Sequence, residues 1–197
     1  IYHQVEGAFA DISGKSPKAE IRKTIDLCID HLRNKPEQSL AVIAFGAEHA
    51  RNLDKEFRRQ VGEEPSMPLA PRGKPDEKFV IRHLETIQGD ERDVIFLSTG
   101  YGPNYQNKLR NNFGPINIDK NDFGLRRLNV AVTRARKRVE VISTINPYQY
   151  DENNLNSVGQ KGLIQYLRYV QSGGTDLGDL SVERVPMNPF EQDIFDS

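Results

Sequence analysis

The chain has 197 residues, a length that fits one domain, or one domain with trailing segments. It carries 27 basic and 28 acidic residues, and its hydrophobic share of 37% allows a packed core. This composition excludes wholesale disorder, a collagen-like repeat and a disulfide scaffold, and no apolar run is long enough to span a membrane. The single cysteine, Cys28, cannot form an internal disulfide, so we expect a reducing, cytoplasmic location.

Helical and strand patterns alternate along the chain. Ser16 followed by Pro17 predicts an N-cap and the first residue of a helix over 17–34. The apolar run 39–45 predicts a strand buried on both faces, and apolar residues at helical spacing predict a second helix over 47–61. Later patterns predict strands over 79–84, 93–99 and 139–144, and helices over 125–137 and 159–171. This alternation predicts an α/β fold with a mainly parallel sheet covered on both faces.

The segments between these elements differ in character. Residues 62–78 are rich in proline, glycine and charge, and are expected to form a loop. Residues 100–124 are rich in asparagine and glycine, and we expect a mobile or poorly packed surface excursion there. From residue 172 the chain turns rich in glycine and aspartate. We therefore expect one domain over 1–172, followed over 173–197 by a linker and the start of a further domain.

Gly14, Lys15 and Ser16 invite comparison with a phosphate loop, but the pattern fails. The Walker A motif needs a glycine five positions before the Gly-Lys pair, and Phe9 stands there. No acidic pair closes an apolar strand to hold Mg²⁺. We therefore expect that this segment alone hydrolyses no ATP.

The segment from Glu85 to Asp93 connects two predicted strands and begins at the carboxyl end of the first. That edge is where open α/β sheets bind ligands. Gly89 would let the backbone approach a phosphate or sugar closely, and Glu91 could accept hydrogen bonds from ribose hydroxyls. An ordinary polar loop with a turn glycine is the alternative.

Six basic residues lie between positions 126 and 138, and no acidic residue interrupts them. Such a local basic segment on a nearly neutral chain suggests an anion site. On the predicted helix, Arg127 and Arg134 are seven residues apart and project on one side, where two guanidiniums could meet a polyphosphate. A solvated basic face is the alternative.

Three segments in order resemble the motifs of superfamily 1 helicases, in the nonsense-mediated-decay helicase group and its bacterial relatives. SLAVIAFGAEHA (39–50) is similar to motif IV, ETIQGDERDVIFLS (85–98) to motif V, and RRLNVAVTRARKRVEVIS (126–143) to motif VI. The resemblance covers roughly residues 5–172 and implies the C-terminal RecA-like domain, with the three-layer fold of P-loop NTPases. It also implies a preceding RecA-like domain, which supplies most of the contacts to ATP and Mg²⁺. The implied partner is single-stranded nucleic acid, DNA rather than RNA.

The resemblance also implies roles for individual residues. Arg134 matches the motif VI arginine that reaches the γ-phosphate of ATP. In motif IV, His49 stands where glutamine is common, and Arg51 falls one residue later than the family's phosphate-contacting arginine. The expected ATP-binding residues are Gln88, Gly89, Glu91, Arg127 and Arg51, and Thr86 is the expected contact to nucleic acid. No metal ligand is expected in this chain.

Two further interpretations stay open. A helicase-like module without productive ATPase, binding nucleic acid or protein, is the alternative function, although the intact Arg134 and Glu91 favour the enzyme. Residues 189–195 resemble the opening of a restriction-like nuclease domain. The aromatic residues of the 100–124 excursion are candidates for stacking on bases, although loop aromatics more often pack the loop itself: Tyr101, Tyr105, Phe113 and Phe123.

Overall fold

The computed structural model describes residues 1–7, 16–62, 67–87, 89, 91–118 and 120–176. Within these ranges, strands and helices alternate as follows: β1 (Tyr2–Gln4), α1 (Lys18–Asn34), β2 (Leu40–Ala44), α2 (Ala47–Val61), β3 (Val80–His83), β4 (Arg92–Ser98), α3 (Phe123–Val132), β5 (Ala135–Ser143) and α4 (Val158–Gln171). Short 3-10 turns lie between β4 and α3 and between β5 and α4. No described helix is both long and apolar enough to cross a bilayer.

The strands form one all-parallel sheet in the order β1-β5-β4-β2-β3. Every residue of β2 and of β4 is buried. The continuous apolar run of β2 predicted this burial, which is typical of strands covered on both faces. Because the strands are parallel, their carboxyl ends share one edge of the sheet, here called the carboxyl edge, and their starts share the opposite amino edge. The expected α/β RecA-like fold is confirmed.

Two apolar layers hold the sheet between helices. On one face α1 and α2 pack through Ile25 and Leu53 against Phe96, and on the other α3 and α4 pack through Leu128 and Leu163. Cys28 is fully buried in the first layer, and this burial raises the pKa of its thiol well above the usual value. Cys28 shares with Ile25 and Leu32 the face of α1 that packs in this layer.

The helix predicted over 125–137 is wrong at its end. Helix α3 stops at Val132, and β5 begins at Ala135 rather than at residue 139. The Thr133 hydroxyl donates to the carbonyls of Asn129 and Val130 at the last turn, 2.9 and 3.1 Å away. Strand pairing then begins at once, because Ala135 aligns with Arg92 of β4. Arg134 therefore lies in a short turn and not on the helix.

The expectation of a poorly packed excursion over 100–124 is also wrong for part of that segment. Phe113 and Ile116 are fully buried in the α3–α4 layer. Gly124 and Gly159 make this possible, because a Cβ on either would lie about 2 Å from the Ile116 carbonyl oxygen, at 1.9 and 2.1 Å. The chain thus re-enters the core before α3 begins. The segment expected to follow the domain lies, beyond residue 176, outside the described residues.

Candidate functional site

Arg134 and Glu91 come together at the amino edge. The backbone N–H of Arg92 donates to the carbonyl of Arg134 at 3.1 Å, and Glu91 immediately precedes Arg92. Gly89 lies two residues further upstream, exposed, with φ of +80° and open space where a Cβ would stand. The turn before β5 and the end of the β3–β4 connection therefore form one surface.

The sequence led us to expect the β3–β4 connection at the carboxyl edge. In the structure it begins at that edge but does not stay there. It must cross the whole sheet, because β3 ends at one edge and the parallel strand β4 starts at the other. Only its beginning lies at the carboxyl edge, where the exposed Thr86 hydroxyl donates to the His83 carbonyl at 3.1 Å. Thr86 is thus separated from Glu91, and Gln88 lies outside the described residues.

Arg92 is a structural residue of this site that the sequence analysis did not single out. Its guanidinium is buried, and it donates to the carbonyl of Glu91 at 2.9 Å and to that of Lys78 at 3.1 and 3.3 Å. These bonds fix the backbone of Glu91 at the start of β4. The available signal was the charged pair Arg92-Asp93 at the opening of a mostly apolar strand.

Most of the basic run 126–138 is neutralised by acids outside the run, most of them distant in the sequence. The pairs are Arg127 with Glu85 (3.0 Å), Arg136 with Glu77 (2.5 Å), Lys137 with Asp93 (3.5 Å) and Arg138 with Glu140 (2.7 Å). Two members, Arg126 and Arg134, make no ion pair with any described residue. The absence of acidic residues inside the run therefore did not show how many of its cations lack an acidic partner.

Arg134 differs from the rest of the run. Its side chain makes no hydrogen bond to the described part of the chain, and its Nε is buried from solvent without a partner. A buried N–H group left unpaired costs about 1–3 kcal/mol. The Nε of Arg134 is therefore a hydrogen-bond donor that no described residue satisfies.

Arg127 and Arg51 are not brought together with Arg134. The Arg127 guanidinium lies 6.0 Å above the Phe123 ring and donates to Glu85, so the expected projection of two guanidiniums from one side of one helix is wrong. Arg51 lies in the first turns of α2, which begins at the carboxyl edge. It is largely exposed and contacts Glu48 at 3.4 Å.

Asp93 anchors the cationic groups on the amino edge. It is buried and accepts from the backbone N–H of Ser39 at 3.2 Å. Arg136, Lys137 and Lys74 lie within 3.4–3.8 Å of its carboxylate. Burial alone would raise the pKa of Asp93, but the Ser39 hydrogen bond and the three cations outweigh it and the pKa is lowered. The carboxylate stays charged and holds these cations in place.

The carboxyl edge is organised around Glu20, whose side chain is fully buried. Its carboxylate accepts from the backbone N–H groups of Gly100 at 2.7 Å and Thr144 at 3.1 Å, and from the Ser98 hydroxyl at 2.8 Å. His49 Nε2 lies 3.5 Å from the same carboxylate. These donors form an anion-binding cradle that the protein fills with its own carboxylate.

Ser16 was predicted to cap α1, but its hydroxyl lies next to this cradle instead. Pro17 is the N-cap residue and the helix begins at Lys18. The Ser16 hydroxyl instead lies 2.9 Å from His49 Nδ1, while Nε2 lies 2.7 Å from the Ser98 hydroxyl. His49 thus joins α1 to β4 through two hydroxyls. Among the described residues no group of three histidine, cysteine or acidic side chains could hold a metal ion.

Comparison with known families identifies this fold. Residues 8–146, more than half of the chain, match the model of the AAA domain family. The chain belongs to the AAA domain family. This match and the similarity of the chain to two proteins named as ATP-dependent helicases confirm its resemblance to the C-terminal domain of a helicase.

Two relatives of this AAA domain come from mycoplasmas. Over 150 residues the chain is 37% identical to a Mycoplasma pneumoniae protein named as an uncharacterised ATP-dependent helicase. This alignment covers 73% of the chain and 12% of that protein. A Mycoplasma genitalium protein with the same description is 36% identical over 103 residues, covering 52% of the chain and 8% of that protein. The chain therefore spans only a small part of the length of both relatives.

One solved structure similar to the AAA domain is the C-terminal domain of a possible DNA helicase from Lactobacillus plantarum WCFS1. It aligns with a TM-score of 0.40 and 12% sequence identity over 76% of each chain.

Proposed function

We propose that the chain is the second motor domain of an ATP-dependent superfamily 1 helicase and supplies the arginine finger for ATP hydrolysis. One observation carries this proposal: among the described residues, Arg134 alone combines an amino-edge position next to the Glu91–Arg92 backbone with a buried Nε that has no partner. Its neighbours Arg136 and Arg138 are held by acids of the same domain. We place the domain boundary near residue 172.

Phosphoryl transfer develops negative charge on the equatorial oxygens of the transferred group, and an arginine delivered from a second domain stabilises that charge. In this proposal Arg134 donates there, while Glu91 accepts from the ribose and Gly89, with Gln88 before it, lets the backbone approach the nucleotide. ATP and Mg²⁺, which supply the reacting phosphate and its neutralisation, are held mainly by a preceding RecA-like domain. Arg51 and Arg127 have no part in this arrangement, because they lie apart from Arg134.

The nucleic-acid partner is a single strand, DNA rather than RNA, contacted at the carboxyl edge, with the exposed Thr86 hydroxyl as one contact. Nucleotide and strand then meet opposite edges of the same sheet. Domain closure that delivers Arg134 would move the carboxyl edge as one body with the sheet, which couples hydrolysis to movement along the strand. This work would take place in the cytoplasm.

The test is Arg134→Ala in the full-length protein, with the ATPase rate and nucleotide affinity measured separately. We expect the rate to fall by about 10³-fold or more, while affinity changes far less, because the arginine acts in the transition state. Arg134→Lys should rescue poorly, since lysine lacks the planar guanidinium. Arg126→Ala is the matched control, because Arg126 is also basic and without an ion pair among the described residues, but lies in the exposed middle of α3.

Three outcomes would overturn the proposal. Hydrolysis that survives Arg134→Ala would remove the finger assignment. A full-length protein without nucleic-acid-stimulated ATPase would favour the non-catalytic helicase-like module instead. The 197-residue chain alone should hydrolyse no ATP, and robust turnover by it would contradict the assignment to a second motor domain.

A further inference from the structure

One of the four candidate stacking aromatics is left free by the fold. Phe113 is fully buried, Tyr101 packs edge-on against it at 6.5 Å, and Phe123 lies under the Arg127 guanidinium. Tyr105 is 69% exposed, more than any other large hydrophobic side chain in the described ranges. It contacts no other ring and forms no side-chain hydrogen bond there. An aromatic side chain held so far from the core is available to a partner.

The loop tip that carries Tyr105 is a closed turn. The Asn104 side-chain oxygen accepts from the backbone N–H groups of Gln106 at 3.0 Å and Lys108 at 2.9 Å. The Asn104 N–H donates to the Lys108 carbonyl at 2.9 Å, and Asn107 takes a left-handed φ of +60° inside the turn. The backbone of Tyr105 is thus fixed on both sides.

The base of the same loop is tied to the domain. The Tyr150 hydroxyl donates to the Arg110 carbonyl at 3.1 Å, and the side chains of Gln160 and Asn117 both donate to the Asn111 carbonyl, at 2.5 and 3.1 Å. Phe113 then enters the core. Ordering this loop on binding a ligand would therefore cost little conformational entropy.

Charge and position indicate which partner fits. Residues 99–118 contain two cations, Lys108 and Arg110, and no acidic residue. The loop follows β4 at the carboxyl edge, the edge that also holds Thr86. An exposed ring with cations in the same loop is a combination by which proteins bind single strands, with bases stacking on the ring and phosphates meeting the cations.

We propose that Tyr105 is a stacking platform for a base of single-stranded nucleic acid, and that Lys108 contacts an adjoining phosphate. This inference rests on the proposed function, because it assigns a contact within the strand-binding edge. Stacking on tyrosine tolerates any base, so the platform suits a motor that moves along a strand regardless of sequence. Tyrosine serves this role with few rotatable bonds to immobilise.

The experiment uses the full-length protein and a fluorescein-labelled 12-nucleotide DNA strand, with affinity measured by fluorescence anisotropy. Tyr105→Ala should weaken binding about 5- to 50-fold, whereas Tyr105→Phe should leave it unchanged, because the ring and not the hydroxyl is used. Lys108→Ala should lower the slope of log affinity against log salt by about 0.7, the value for one phosphate contact on a single strand. A strand containing 2-aminopurine should be quenched by the wild type and by Tyr105→Phe only.

Tyr169→Ala is the matched control, because Tyr169 is also exposed but lies on α4, away from the loop. Equal binding by Tyr105→Ala and wild type would overturn the platform while leaving the proposed function standing. Loss of affinity in Tyr105→Phe as large as in Tyr105→Ala would show a hydroxyl contact and overturn stacking. A wild type that binds no single strand at all would overturn the proposed function, and this inference with it.

Discussion

The two edges of the sheet differ in whether their hydrogen-bond donors are satisfied by the protein's own acidic side chains. At the carboxyl edge, a cradle of N–H and hydroxyl donors is saturated by the buried carboxylate of Glu20. At the amino edge, acids satisfy most of the cations, but Arg134 Nε has no partner in the described part of the chain. Open α/β sheets bind ligands at the carboxyl edge as a rule. In this domain an internal anion occupies the cradle there, and the unsatisfied donor that a nucleotide could use lies at the other edge.

The largest expected effect on stability is at the carboxyl edge. Glu20→Ala should lower the free energy of unfolding by about 3–5 kcal/mol, because it leaves several buried donors without an acceptor. Urea denaturation of the 197-residue chain measures this. Glu48→Ala is the control, since Glu48 is a partly exposed glutamate in the first turn of α2, and it should cost under about 0.5 kcal/mol. A loss below about 1 kcal/mol for Glu20→Ala would show that the cradle is not saturated by this carboxylate.

The second prediction divides the amino edge itself. Arg92→Met should lower the free energy of unfolding by about 2 kcal/mol, because the carbonyls of Lys78 and Glu91 lose their buried donors. Arg92 and Arg134 thus form a matched pair of arginines on adjoining backbone, one satisfied and one not. The same denaturation assay, applied to both methionine variants, compares them directly. Equal costs for the two would contradict the distinction between them.

A smaller effect depends on pH and comes from Glu140, in β5 between the two edges. Burial would raise the pKa of Glu140, but hydrogen bonds from His3 and Arg138 lower it to about 2, against an ordinary value of 4.5. A lowered carboxyl pKa stabilises the fold above pH 4.5, and this contribution is lost as the pH falls toward 2. Glu140→Gln should therefore cost about 1–2 kcal/mol at pH 7 and progressively less from pH 4.5 downward. A cost that is independent of pH would argue against this ionic contribution.

The smallest expected loss of stability is that of Arg134→Met, which should leave the free energy of unfolding unchanged or raise it by up to about 1–3 kcal/mol. No partner in the described structure loses a bond, and the unsatisfied Nε is removed. Read together with the ATPase assay, this variant separates function from folding: catalysis should fall steeply while the fold is unaffected. Marked destabilisation would indicate that Arg134 is part of the core instead.

The candidate site was only partly predictable. The motif residues Gly89, Glu91 and Arg134 were found from their resemblance to helicase motifs V and VI, and the structure brings Glu91 and Arg134 to one edge. Their edge was predicted wrongly, because the sequence shows a connection between strands but not its crossing of the sheet. The free charge of the basic run was also misjudged, since the acids that neutralise it lie 42 residues away in the case of Glu85 and 59 in that of Glu77.

The sequence by itself determined the elements whose signal is local. The apolar run of β2, the spacing of α2 and the core position of Cys28 all follow from which neighbours along the chain share a face. Tertiary structure decided where α3 ends, because Ala135 pairs with Arg92 across the sheet, and it decided which charges are satisfied. Glu20 reaches Thr144 across 124 residues, and no periodicity encodes such a contact. Hydrogen bonds and ion pairs depend on distances of a few ångströms in space, and only the packed sheet sets those distances.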